Sequence, residues 1–335
     1  MTEMEKRKYK DTDYLYASAY IRSVEDRGMS RALILRMLEA PDAESALECL
    51  LEARGALEGG ASIDDAEALC DEFVNDSFRV VAEIINDPSV FDFMRYQYDC
   101  NNIKTALKCS AKGVGTEGLL FSCGTVPAAD YAKMTEHDDY DALPEIFAEA
   151  ARSASDTYKK TGDPQSIDLP IDLACLAAMT ESASSSGEEL LSGAVRLRVD
   201  TANVLATLRV MRMGTTARSE LLERALSPLG SIQKKVLIES SDEGEEVFFD
   251  AVRDKLPREF SEKLTAGTPL SDVERAADDA YLAYVFSARG AVFGLSVPFI
   301  YLTEREYNAK NARIILAGKR AGLSYDDIRG RVRGI

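Results

Sequence analysis

The 335 residues carry 57 acidic against 40 basic side chains, a formal charge of −17, with 46% hydrophobic residues, 29% charged residues and no Trp. That sign of charge repels nucleic acid and anionic lipid, so it argues against nucleic acid as a partner and against direct lipid insertion. The hydrophobic share is enough for a core spread over two or three domains of ordinary size.

In chain order, the opening MTEMEKRKYKDTDY lacks the apolar run of a signal peptide, and the expectation is a cytoplasmic protein. Tyr14 to Ser23 reads as a helix leading to Gly28-Met-Ser and a second, amphipathic segment from Arg31 to Ala40. Ala46, Leu47, Leu50 and Leu51 continue the helical spacing, and Ala66 to Ile85 repeats it for about five turns until Asp87-Pro88. Further connections are expected at Gly113–Gly124, Gly162-Asp163-Pro164, Ser182–Gly187, Pro257 and Gly267–Pro269. Capping boxes at Ser271-x-x-Glu274 and Ser324-x-x-Asp327 mark two helix starts. The most apolar window, Ala280 to Leu302, is interrupted by Arg289, Gly290, Gly294 and Pro298, and reads as a buried helix, a break and a loop, not as a membrane span. Alternating strand patterns are not evident, so the fold class is all-α.

One pattern recurs three times: Asn, Leu five residues on, Gly six beyond that. The copies are Asn102/Leu107/Gly113, Asn203/Leu208/Gly214 and Asn311/Leu316/Gly322. Asp99, Asp200 and Asn308 stand three residues before each Asn. The Leu shares a helix face with other apolar residues and is read as core, while the Gly supplies the left-handed conformation that closes a helix. A hydroxyl soon after it (Thr116, Thr215 or Thr216, Ser324) is expected to cap the next helix. Each copy is then a structural helix-turn-helix hinge. The spacing divides the chain into three units, residues 1–112, 113–213 and 214–335, and a degenerate copy near Ser18 without the Asn suggests that the last helices pack back on the N-terminal helix.

Side chains for chemistry are scarce. A single His, His137, sits in an acidic run read as a surface loop, too little for a His-based metal site or a nucleophile–His pair. The six cysteines form no CxxC pair and read as buried thiols. Gly113-Val-Gly-Thr-Glu-Gly118 fits GxGxxG, but it follows a helix and lacks the strand that a phosphate cradle requires. No catalytic, cofactor-binding or metal-ligating residue is assigned, and a non-catalytic protein is expected.

The segment Phe293-Gly-Leu-Ser-Val-Pro298 through Tyr301-Leu-Thr-Glu304 to Asn311-Ala-Arg313-Ile-Ile-Leu-Ala-Gly318-Lys319-Arg-Ala-Gly322-Leu resembles the ending of the V/A-type ATPase central-stalk family. Its members are known as the C subunit in archaeal and bacterial complexes and the d subunit in eukaryotic ones. The stretches Tyr14–Leu51, Asp99-x-x-Asn-Ile-Lys-x-x-Leu-Lys108 and Thr161-Gly-Asp-Pro-Gln-Ser-Ile-Asp-Leu-Pro-Ile-Asp172 resemble the same family in the same order.

The resemblance implies a funnel-shaped, pseudo-threefold helical protein, cytoplasmic and peripheral to the membrane. It would lie between the rotating central shaft and the membrane proteolipid ring and transmit torque for ion transport without an active site. The polar positions nearest the hinges, Arg22, Lys104, Arg209 and Arg313, are then the expected partner contacts. The competing readings are a free-standing α-helical scaffold that binds peptides in an apolar groove, and a carboxylate-dependent enzyme.

Overall fold

The computed structural model describes residues 9–55 and 65–335; the first eight residues of the stretch read for a signal segment lie outside them. Sixteen α-helices and no strand occur among the described residues. None of these helices is long and apolar enough to cross a membrane. The chain falls into two compact units: a central one over Ser89–Tyr281, and a terminal one in which the described residues up to Pro88 join Leu282–Ile335.

The terminal unit begins with α1 (Leu15–Val24), α2 (Arg31–Glu39), α3 (Ala43–Arg54) and α4 (Ala66–Ile84). Ser30 and Asp42 cap α2 and α3 by accepting from the amides of Leu33 and Ser45. The buried stripe of α4, including Cys70, Phe73, Val74, Ser77 and Val81, follows the expected spacing. Asn75-Asp-Ser77 is part of this helix, and the Ser77 hydroxyl donates to the Phe73 carbonyl at 2.8 Å. In α1, Ser18 is buried and its hydroxyl has no hydrogen-bond partner.

The central unit runs through α5 (Asp92–Lys112), α6 (Ala128–His137), α7 (Glu145–Thr161), α8 (Gln165–Ser185), α9 (Glu189–Met213), α10 (Arg218–Ala225), α11 (Lys234–Ser241), α12 (Glu245–Arg253), α13 (Arg258–Ser261) and most of α14 (Leu270–Phe286). Helix α8 packs on α5, α7 and α9, while α10 and α11 pack on α9. Leu208, Leu222, Phe248, Phe260 and Val273 meet in one fully buried cluster, which ties the end of α9 to α10, α12, α13 and α14. The chain returns to the terminal unit with α15 (Ser296–Arg320), which packs on α1, α2, α3 and α4, and α16 (Tyr325–Arg329), which packs on α15 and α2.

Several expected boundaries move. Ser182 belongs to α8, whose last helical residue is Ser185. Helix α14 starts at Leu270, ahead of Ser271, and the Pro269 carbonyl accepts from the amides of Asp272 and Val273, so Ser271 is not its cap. The expected loop near Pro298 is the first turn of the 25-residue α15, where a missing amide costs nothing because first-turn amides have no intrahelical acceptor. Of the expected hydroxyl caps only Ser324 caps the next helix: α6 begins after Pro127 and α10 after Ala217. His137 is the exposed last residue of α6, not a loop residue.

Candidate functional site

The three Asn-bearing helices end alike. Gly113 and Gly214 take positive φ directly after α5 and α9, and Gly322 does so one residue beyond the Ala321 that follows α15. In the first and third copies the next amide, of Val114 or Leu323, donates back to the carbonyl of Cys109 or Gly318 at 3.0 Å.

The Asn performs the same task in every copy. Asn102 Nδ2 donates to the Phe121 carbonyl at 2.9 Å, and the Phe121 amide donates back to Oδ1 at 2.8 Å. Asn203 holds Ser227 in the same two-bond grip at 2.8 and 2.9 Å. Asn311 holds Arg333 likewise, at 2.9 Å both ways. The three are 0%, 2% and 1% exposed, and each amide side chain commits one N–H and its carbonyl oxygen to a single residue of the segment beyond the hinge.

The residue three positions earlier makes a second grip. Asp99 accepts from the amides of Thr125 and Val126 and from the Thr125 and Tyr131 hydroxyls. Burial first, and then the neighbouring Asp99 carboxylate, push the Tyr131 phenol well above its usual range, which keeps it a donor. Asp200 accepts from the Ser231 hydroxyl at 2.6 Å and the Ile232 amide at 3.1 Å. Gly124 and Gly230 let these loops approach, because a Cβ on either would collide with the Asp99 or Asp200 Oδ1. In the third copy Asn308 replaces the acid and donates to the Met29 carbonyl at 2.9 Å, as a group with a donor must when a carbonyl faces it.

The central unit also holds an apolar groove of about 480 Å³ between α8 and α9, bordered by α5 and α10. Leu169, Leu173, Leu176, Leu205, Met213 and Leu221 line it, with Asp168 and Asp172 on the α8 side and Arg198 and Arg209 on the α9 side. Two parallel ion pairs tie the α8 rim to α5: Lys104 to Asp172 at 2.7 Å and Lys108 to Asp168 at 2.5 Å. Burial works against the Lys104 charge, yet the Asp172 carboxylate prevails and raises the amine above its usual value.

Each expected contact residue sits in an ion pair. Lys104 is bound as above, and Arg209 pairs with Glu274 of α14. In the terminal unit Arg313 joins Glu67 of α4 at 2.6 Å, and Arg22 joins Glu25 at 3.0 Å and reaches the Ala291 carbonyl at 3.3 Å. Side-chain exposure separates them, with Lys104 and Arg313 at 21% and 22% against 42% for Arg22 and 52% for Arg209. The structure brings Arg209 and the partner of Lys104 to one groove; Arg22 and Arg313 lie on α1 and α15. Sequence reasoning passed over Lys108, Asp168 and Asp172 as site residues, although all three stand inside the two motifs quoted for the family resemblance.

Residues 17–331 match the family model described as ATP synthase (C/AC39) subunit. The chain belongs to this family. Its similar proteins include the C subunit of the V-type sodium ATPase of Enterococcus hirae, 22% identical over 81% of this chain and 83% of that protein. They also include the C subunit of the A-type ATP synthase of Halorubrum lacusprofundi, 27% identical over 90% of this chain and 88% of that protein. As a member of the C/AC39 family, the chain is thus similar over most of its length to subunits of V-type and A-type ATPase complexes. Among the described residues no three His, Cys, Asp or Glu side chains are grouped to hold a metal ion.

Proposed function

We propose that this C/AC39 protein is the non-catalytic central-stalk piece of a V/A-type ATPase that joins the rotating shaft to the membrane proteolipid ring and carries torque between them. It would act on the cytoplasmic side, peripheral to the membrane. The observation that carries the reading is the threefold Asn grip. A long helix that grips a loop from its interior by two opposed, buried hydrogen bonds resists twisting and sliding of the loop it holds. Repeated three times, the device suits three pseudo-symmetric units, residues 1–112, 113–213 and 214–335, around a funnel.

In this role the α8–α9 groove offers the shaft an apolar floor with one acidic and one basic rim, the kind of surface an amphipathic helix recognises. Arg22 and Arg209, the more exposed pair, would meet partners directly. Lys104 and Arg313 would contribute by positioning the carboxylates of Asp172 and Glu67. Co-purification of the tagged chain with separately expressed shaft subunits and with detergent-solubilised proteolipid ring tests the proposal: both are expected to be retained. Retention of neither would return the chain to the class of free-standing helical scaffolds.

A further inference from the structure

In the first two copies the segments held by the two grips belong to one loop. Asn102 and Asp99 hold Phe121 and Thr125–Val126, and Asn203 and Asp200 hold Ser227 and Ser231–Ile232. In both, the second held residue lies two positions before the next helix, α6 or α11. In the third copy the same two places are filled from opposite ends of the sequence. Asn311 holds Arg333, while Asn308 holds Met29, which lies two positions before α2.

The strap around Arg333 has a further tie to the segment that stands in for the missing loop: Arg31 donates to the Gly334 carbonyl at 3.1 Å. Gly334 takes φ +65° and rests on Leu282, where a Cβ would come within 2.7 Å of Cδ1. Together with Arg31, the strap closes a small cleft lined by Leu282, Phe286 and Tyr307.

From this we propose that the third hinge is a releasable latch. Residues 331–335 detach from Asn311 and Arg31 as a unit, removing the Arg31 tie from the start of α2 and uncovering the Leu282–Phe286 end of α14, while the first two hinges stay shut. The physical reason is covalent continuity. When a grip fails in the first two copies, the held residue remains tethered a few positions from the second grip, and its return closes only a short loop. In the third copy no short loop joins the two held segments, so a lost grip separates them.

Gly334→Ala tests this without removing any hydrogen-bonding side chain, since both the positive φ and the Leu282 contact oppose a methyl group. Amide hydrogen exchange read by mass spectrometry on the full chain should show at least tenfold faster exchange over residues 29–37 and 282–286. Asn311→Ala should do the same. Asn203→Ala, the matched change in a continuous hinge, should accelerate exchange only around residues 227–232. Unchanged protection of residues 29–37 in Gly334→Ala would overturn the proposal. So would a Gly334→Ala chain that loosens only together with all other helices, or an Asn203→Ala chain that frees α11 as fully as Asn311→Ala frees α2.

Discussion

Asn203→Ala removes one donor and one acceptor that both face Ser227, a residue 1% exposed. Water has little access to the abandoned amide and carbonyl. Each orphaned buried group costs about 1–3 kcal/mol, so the substitution should destabilise the central unit by roughly 4 kcal/mol. For a unit of this size that corresponds to a fall in melting temperature of about 10 °C. Differential scanning calorimetry, with urea midpoints as a second probe, measures it. Asn203→Asp sharpens the test. It keeps an oxygen to accept from the Ser227 amide but turns a second acceptor toward the Ser227 carbonyl, with Asp200 one turn away. At neutral pH it should be no better than alanine. A loss below about 1 kcal/mol for alanine, or near-native stability for aspartate, would refute the claim that the two opposed hydrogen bonds hold the hinge.

Gly124→Ala and Gly230→Ala should each cost about 2 kcal/mol or more in thermal melts, because the Asp oxygen in the way is itself fixed by backbone amides; Gly290→Ala, with open space around it, should stay within about 0.5 kcal/mol. A double-mutant cycle on Lys108 and Asp168 should return a coupling of only about 0.5–1 kcal/mol that shrinks in high salt, since both side chains are over a third exposed. Glu245 is held below its ordinary carboxyl value of 4.5, first by the Arg212 hydrogen bond, against burial, with the Gly267 amide adding to it. A depressed carboxyl stabilises the fold above the unfolded value and loses that contribution as pH falls through the folded one. Urea midpoints should therefore separate wild type from Glu245→Gln at pH 6 and converge as the pH falls through the lowered value of the folded carboxyl.

Helix interiors were legible in the sequence because burial imposes a period: the stripe of α4 and the buried Leu107, Leu208 and Leu316 lie where the spacing put them. Helix starts were less so. A carbonyl, that of Pro269, did the work expected of the Ser271 hydroxyl, and a carbonyl leaves no mark on residue type. Pro298 looked like a breaker although the first turn of α15 tolerates it. The same blindness hid the site. The Asn/Leu/Gly spacing exposed the Asn in each hinge, but the residues held are Phe121, Ser227 and Arg333, which share no chemistry because only their backbones are gripped. The groove was half visible: Lys104 and Arg209 stood out, whereas Asp168 and Asp172 were lost among the many acids of a strongly acidic chain.

The most direct test of a torque-bearing stalk is ion transport per ATP hydrolysed in vesicles holding the assembled complex, with and without this protein. A link between shaft and ring predicts that its omission abolishes ATP-driven transport while hydrolysis by the soluble head continues, and that adding the purified chain back restores coupling. Transport that proceeds at full yield without it would contradict the account.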